Sequence, residues 1–492
     1  MGAGAHYRFA HVLVREAAYQ GMLKRTRAAL HERFVGWADQ VNSDRDRAVE
    51  FEEILGYHLE QAHSNLKELG PLDDHGMELG RRAADRLSSA GRRAFARGDM
   101  PAAANLLRRA AMILPERDPS RLELIPELGE ALLEVGEFPW AELFLEEAID
   151  ARSDRDELAP AVAELFLLRL KAQAGSAERW SERLVEEASR MLEHSDGEGD
   201  DAMLATIWRL LAWAHGTSGR YGLATGAAER AMEHARIAQE GRQTRLAAVH
   251  YAIAALHGPT PVSEAIERCE TIASEAEGDR RTQGLVTSIL AALLGMRGDF
   301  DRARRLSAEA QALLAELGPT VAGASTSLES SRVETLAGDL PAAELALRRD
   351  YEALTELGER YLLSTVAGEL ARVLYAQGRL DEAEKCSRHA QELADPDDVA
   401  STTLWRTAQA KIMAHKGNRD AALILIGEAV DLLKRTDSVV AQAETLVDLA
   451  EVLRLSGRRK EADEVLEGAV ELFEAKGNVA AVAALRVPAA SG

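Results

Sequence analysis

The chain has 492 residues, 46% of them hydrophobic and only 5% aromatic, and a formal net charge of −22. That charge argues against nucleic acid as the default partner, because phosphate contacts need an excess of Lys and Arg. No run approaches the roughly 20 apolar residues of a membrane span.

Residues 6 to 40 carry apolar side chains at Val12, Ala17, Leu23, Leu30, Phe34 and Trp37, a spacing that predicts two amphipathic helices. Thr26 offers a local start for the second. His6 and His11, and likewise His58 and His63, lie five apart and would point to different faces of a continuous helix. His-Glu-x-x-His is absent, so ordinary packed or surface histidines are expected and no metal site. Residues 81 to 117 are rich in arginine, which reads as a solvated helix face.

From there on one pattern recurs about every forty residues: a glycine, an alanine five later and another alanine seven beyond that. It reads Gly98, Ala103, Ala110; Gly136, Ala141, Ala148; Gly219, Ala224, Ala231; and Gly298, Ala303, Ala310. It returns at Gly378, Gly417 and Gly457, and at Gly338 with Asp350 in place of the second alanine. Seven residues before each glycine stands another small or polar residue: Gly91, Gly129, Ala212, Ala291, Ser331, Ala371, Ala410 and Ala450. Glycine ends one helix, and alanines seven apart share a face of the next, so each unit is a tight helical hairpin. Gly175 and Gly258 hold the spacing with a degenerate alanine pattern, giving about ten units. A fixed period of this length predicts an all-α, helical-hairpin repeat solenoid with a short N-terminal helical segment. Cys269 and Cys386 fall in different repeats, which fits a reducing compartment rather than a disulfide framework.

If the small residue before the turn faces the partner helix, the residue after it lies on one shared side of the first helices, the side that lines the concave groove in the tetratricopeptide (TPR) repeat proteins these offsets resemble. Those residues are Arg92, Glu130, Trp213, Ala292, Arg332, Arg372, Lys411 and Glu451, and Arg209 and Arg406 lie about one turn earlier on their helices. Arg209, Trp213, Arg332, Arg372, Arg406 and Lys411 are therefore candidate groove ligands for an acidic peptide or another anionic effector. The alternative is that these charges are merely solvated. No catalytic constellation is present: Gly-x-Ser-x-Gly is missing. So is Gly-x-x-x-x-Gly-Lys-[Ser/Thr]. No cofactor is expected.

The Gly, Ala and Ala offsets resemble the tetratricopeptide (TPR) repeat family over roughly residues 76 to 485, with Trp405 where that family often has a first-helix tryptophan. The resemblance implies a right-handed superhelix whose first helices line the concave side. The units exceed the family's usual 34 residues by about six. Phe9, His11, Leu13, Val14, Arg15, Glu16, Ala18 and Tyr19, followed by Arg27, Leu30 and His31, resemble the end of the ATPase module in bacterial STAND-type regulators. Several of these are adenylate or guanylate cyclase-like proteins. The segment Ile54–Ala62 looks like that family's passage into the repeats.

The division implied is residues 1–70 for the N-terminal segment, 71–485 for the repeats and 486–492 for a disordered tail. The chain then reads as the sensor half of such a regulator, a fragment or a separately encoded remnant. Its partner would be a protein or peptide, and an ATPase or cyclase module in cis or trans. In that setting His11, Arg15 and His31 would contact or report on the ATPase module; purely local packing is the alternative. A stand-alone interaction scaffold is the competing function. The N-terminus has no signal-like region, and a cytoplasmic location is expected.

Overall fold

The computed structural model describes residues 11–43, 51–151, 158–173, 179–194, 200–317 and 320–486. These form 24 α-helices and, among the described residues, no strand. The chain divides into two compact units, residues 1–131 and 132–492. The division expected at residue 70 falls inside the first unit, and the expected tail lies outside the described residues except for Arg486.

The first unit holds α1 (Val12–Gln20), α2 (Lys24–Ser43), α3 (Glu52–Lys67), α4 (Asp74–Arg97) and α5 (Met100–Ile113). Helix α6 (Pro119–Glu134) spans the division between units. In the second unit follow α7 (Phe138–Asp150), α8 (Leu158–Gln173), α9 (Trp180–His194), α10 (Asp201–Thr217), α11 (Tyr221–Ile237) and α12 (Gly241–His257). Then come α13 (Val262–Glu275), α14 (Arg280–Arg297), α15 (Phe300–Ala315), α16 (Ser327–Ala337), α17 (Leu340–Leu357) and α18 (Tyr361–Ala376). The chain finishes with α19 (Leu380–Leu393), α20 (Val399–His415), α21 (Arg419–Leu433), α22 (Val439–Leu455), α23 (Arg459–Lys476) and α24 (Val479–Arg486).

Each of the eight turn glycines sits between the two helices of a hairpin and is left-handed, with φ from 67 to 92°. At Gly98 the turn closes with Gly98 N–H donating to the Phe95 carbonyl and Asp99 N–H to that of Ala94. This double closure satisfies carbonyls the helix end would leave bare. Gly258 instead ends α12 in extended backbone, at φ −86°. Gly175 lies outside the described residues.

The alanines five and twelve residues after the glycines are 0–1% exposed, so each second helix lies close against its partner. At Gly91 a Cβ would come within 2.8 Å of Leu107, so nothing larger than glycine fits there without a shift. Asp350, where the alanine pattern breaks, is buried and accepts the Ser327 N–H at 2.7 Å, holding the start of α16. This is the anion-at-the-N-terminus arrangement that a helix favours.

Ala371 is fully buried inside α18, whereas Glu384 reaches outward to Lys416 at 3.0 Å. Ala371→Leu is expected to cost on the order of 1–3 kcal/mol by overpacking. Glu384→Leu is expected to cost well under 1 kcal/mol, because exposed ion pairs contribute little. Urea denaturation of the two variants compares them directly.

In the second unit the first helices of successive hairpins pack on one another from α10 through α22. The unit also folds back on itself: α8 touches α18, α12 touches α22, and α14 and α16 both touch α24. The Asp437 carboxylate accepts the N–H groups of Tyr221 (2.5 Å) and Gly222 (2.7 Å), and Asp437 N–H donates to the Gly219 carbonyl. Lys476 Nζ donates to the carbonyls of Ala255 (2.6 Å), Gly258 (2.8 Å) and Thr260 (2.6 Å).

Candidate binding site

Three of the six candidate groove residues converge in the second unit. Arg332 on α16, Arg372 on α18 and Lys411 on α20 come from three successive hairpins, at matching places after their turn-adjacent small residues. They meet α22, whose Glu444, Asp448 and Glu451 follow at four and three residues and so share one helix face. Glu444 is paired with Arg332 and lies 3.1 Å from Arg372. Arg372 also reaches Glu369 at 3.4 Å and Asp448 at 3.8 Å. Lys411 Nζ lies 2.7 Å from Asp448 and 3.6 Å from Glu451. Tyr375 Oη donates to Glu451 at 2.6 Å, and Lys411 stands 4.7 Å over the Tyr375 ring.

These side chains are 5–21% exposed apart from Glu451, at 42%, so their mutual attraction is screened far less than on an open surface. Burial alone would raise the Glu444 pKa, but Arg332 and Arg372 outweigh it and hold the carboxyl well below the usual range. Burial likewise works against the Arg372 charge, and Glu369, Asp448 and Glu444 overcome it. Beside them desolvation, and then Arg332, lowers the pKa of the half-buried His257 to about 3.

The other candidates lie elsewhere. Trp213 stacks on Trp180 with centroids 4.5 Å apart and meets the Tyr361 ring edge-on at 5.8 Å. Tyr361 opens α18 about three turns before Arg372, some 16 Å along the helix. Arg209 is 2% exposed, bonded to Gln243 at 2.9 Å and placed over Phe166. Arg406 lies over Trp405 and points to Glu428 at 3.4 Å on the following helix. The shared offset thus places a charged centre and an aromatic cluster at separate levels of the unit. Asp448 and Tyr375 escape a reading of the sequence, since no local spacing marks partners that lie 76 residues away, as Arg372 does from Asp448 and Glu451 from Tyr375.

In the first unit His31 Nδ1 lies 2.7 Å from His58 Nδ1, and His31 Nε2 lies 2.7 Å from Tyr19 Oη. Burial, then His58 and Arg27, lowers the His31 pKa to about 4, so the ring is neutral at pH 7. His11 is exposed and caps α1, its Nδ1 accepting the Leu13 N–H. The Arg15 side chain, like His6 and Phe9, lies outside the described residues. His63 is turned away from His58 and meets the Gly76 carbonyl. No group of three or more candidate metal ligands occurs among the described residues.

Near the aromatic cluster a buried carboxyl carries a stability signature. Glu359 is 0% exposed and accepts the Leu362 N–H at 2.8 Å, while its Oε1 has no partner among the described residues. Burial raises its pKa from 4.5 to about 7. A carboxyl whose folded pKa is raised binds its proton more tightly in the native state, so its contribution to stability falls as pH rises from about 4.5 to about 7. Glu359→Gln is therefore expected to stabilise the protein at pH 8 by on the order of 2–3 kcal/mol relative to its effect at pH 5. Thermal melts at the two pH values measure that difference.

No family model matches the sequence, and no curated protein matches it. Solved structures do resemble the fold. A Rap protein complexed with competence and sporulation factor aligns at a TM-score of 0.54 and 12% identity, covering 74% of this chain and 99% of that one. Cut9 with Hcn1, the APC/C hetero-tetramer, aligns at 0.51 and 12%, covering 97% and 92%. Among the described residues no helix is long and apolar enough to cross a membrane. With its hairpins, turn glycines and buried alanines, the chain has the fold of the TPR-like helical-repeat proteins.

Proposed function

We propose that this chain is a non-catalytic recognition module that binds an acidic segment of a protein or peptide partner through the first helices of its second unit. The single observation behind this reading is that Arg332, Arg372 and Lys411, from three hairpins, already grip a helix bearing carboxylates at four- and three-residue spacing. An effector with the same carboxylate ladder would exchange with α22 for these cations, and the exchange would loosen the unit where it folds back on itself. The solved Rap structure contains a bound factor, which supports a recognition role for this fold. The output would be an ATPase or cyclase module in cis or trans, placed near His11, Arg15 and His31 in a cytoplasmic bacterial regulator, as the sequence resemblance implies.

The test is complementation in trans. In the variant Glu444→Gln, Asp448→Asn, Glu451→Gln the three cations lose their resident partners. A peptide copying residues 439–455 should bind that variant and raise its melting temperature, by mass action on the folded state. The same peptide with its three carboxylates neutralised should not. If the variant is folded yet takes up neither peptide, the concave cations are a structural device and the reading fails.

A further inference from the structure

The first unit presents an apolar face that its own described helices leave uncovered. Helix α2 buries Ala28, Val35 and Ala38 in the core it shares with α3 and α4. Leu23, just before this helix, and Leu30, Phe34 and Trp37 on it form a second stripe, 78, 44, 37 and 60% exposed. Spacings of seven, four and three keep these side chains on one line. Ile54 and Tyr57 on α3 add 49 and 45% exposed neighbours. The rings form one continuous surface: Phe34 lies 5.8 Å from Trp37 and 4.3 Å from His58, and Tyr57 lies 5.4 Å from His58. Beside the stripe Gly36 is open, since a Cβ there would meet nothing within 4 Å.

Two facts point to the occupant. A helical stack that ends in water carries a polar outer face on its last repeat; α2 instead exposes Leu30, Phe34 and Trp37, a surface suited to a further helix. One charge beside the stripe is uncompensated. Arg33, three residues after Leu30 and four before Trp37, is exposed and is not bonded to a carboxylate among the described residues. Several other cations of the unit are paired: Lys24 with Glu68, Arg86 with Asp39 and Glu52, and Arg109 with Glu60. Glu53 is the acid on the opposite rim, and it acts on Arg109.

We propose that the α2–α3 face binds an amphipathic α-helix of a partner, with large apolar residues seated along Leu30, Phe34, Trp37 and Tyr57 and carboxylates along the flank that meets Arg33. This surface gives a physical form to the suggested contact of the first unit with an output module, and it does not depend on the concave site of the second unit.

The test uses the full chain and two labelled synthetic helices of about 18 residues, long enough to span the stripe. Both carry leucine on one face; one has glutamates and the other lysines along the flank. Fluorescence anisotropy at low salt should show the glutamate peptide binding about ten-fold or more tightly than the lysine peptide, with the gap closing at high salt. Trp37→Glu should abolish binding of the glutamate peptide, and Arg33→Glu should reverse the preference. Leu345→Glu, at a 74% exposed leucine of the second unit, should change nothing. Glu444→Gln should leave this binding intact, which separates its fate from that of the concave site.

Equal affinity for the two peptides would overturn the proposal, as would binding that survives Trp37→Glu while the variant stays folded. Self-association of the chain that Trp37→Glu abolishes would show that a second copy covers the face, and would also overturn it.

Discussion

Glu444→Ala is expected to cost about 3–5 kcal/mol, because it strands Arg332 and Arg372 among low-dielectric surroundings without their shared carboxylate. Urea denaturation at pH 7 gives the number. The loss should itself depend on pH. A carboxyl whose folded pKa is depressed stabilises the native state above its unfolded value, here about 4.5, and that contribution is lost as pH falls toward about 2. The gap between wild type and variant should therefore narrow below pH 4.5. A constant gap across that range would mean that Glu444 acts through packing and not through charge.

Lys476→Met is expected to be the other severe change, at about 3 kcal/mol or more. Lys476 is 1% exposed, and its ammonium group serves three backbone carbonyls that methionine would leave without a donor. An unsatisfied buried acceptor costs about 1–3 kcal/mol, and three on one loop do not add fully. Burial pulls the lysine pKa down to about 8, while the three acceptors hold the charged form. Hydrogen exchange should localise the damage to the turn around Gly258 and to the end of α23. Global destabilisation without faster exchange at that turn would show that the lysine serves some other contact.

Much of the fold was legible because it is local. A left-handed turn needs glycine, so eight glycines mark eight hairpins, and the one described glycine with a degenerate repeat, Gly258, is also the one that is not left-handed. Close helix packing needs alanine, so the buried faces could be read at fixed offsets. Asp350 shows the limit of that logic: a polar residue in an alanine slot looked like a lapse, yet its carboxylate caps α16.

The site was half legible for the same reason. An offset from a turn places Arg332, Arg372 and Lys411 on one side of their helices, but it says nothing about what they face. Arg332 and Glu444 are 112 residues apart, and only the back-folding of the second unit brings them together. Arg406 has a similar offset, yet it is held by cation–π stacking on Trp405 and by the nearby Glu428 instead. Around the N-terminal histidines the motif gave no geometry, and the His31–His58 contact between α2 and α3 became visible only with the fold.

The account rests on the second unit closing so that α16 and α22 meet across its interior, and a double-mutant cycle between Arg332 and Glu444 tests this most directly. Arg332→Ala, Glu444→Ala and the double variant should give a coupling energy of about 1.5–3 kcal/mol at pH 7 and low salt, as expected for charged side chains in contact. A coupling near zero, with all three variants folded, would mean that these residues do not meet in solution and would contradict the closed interior.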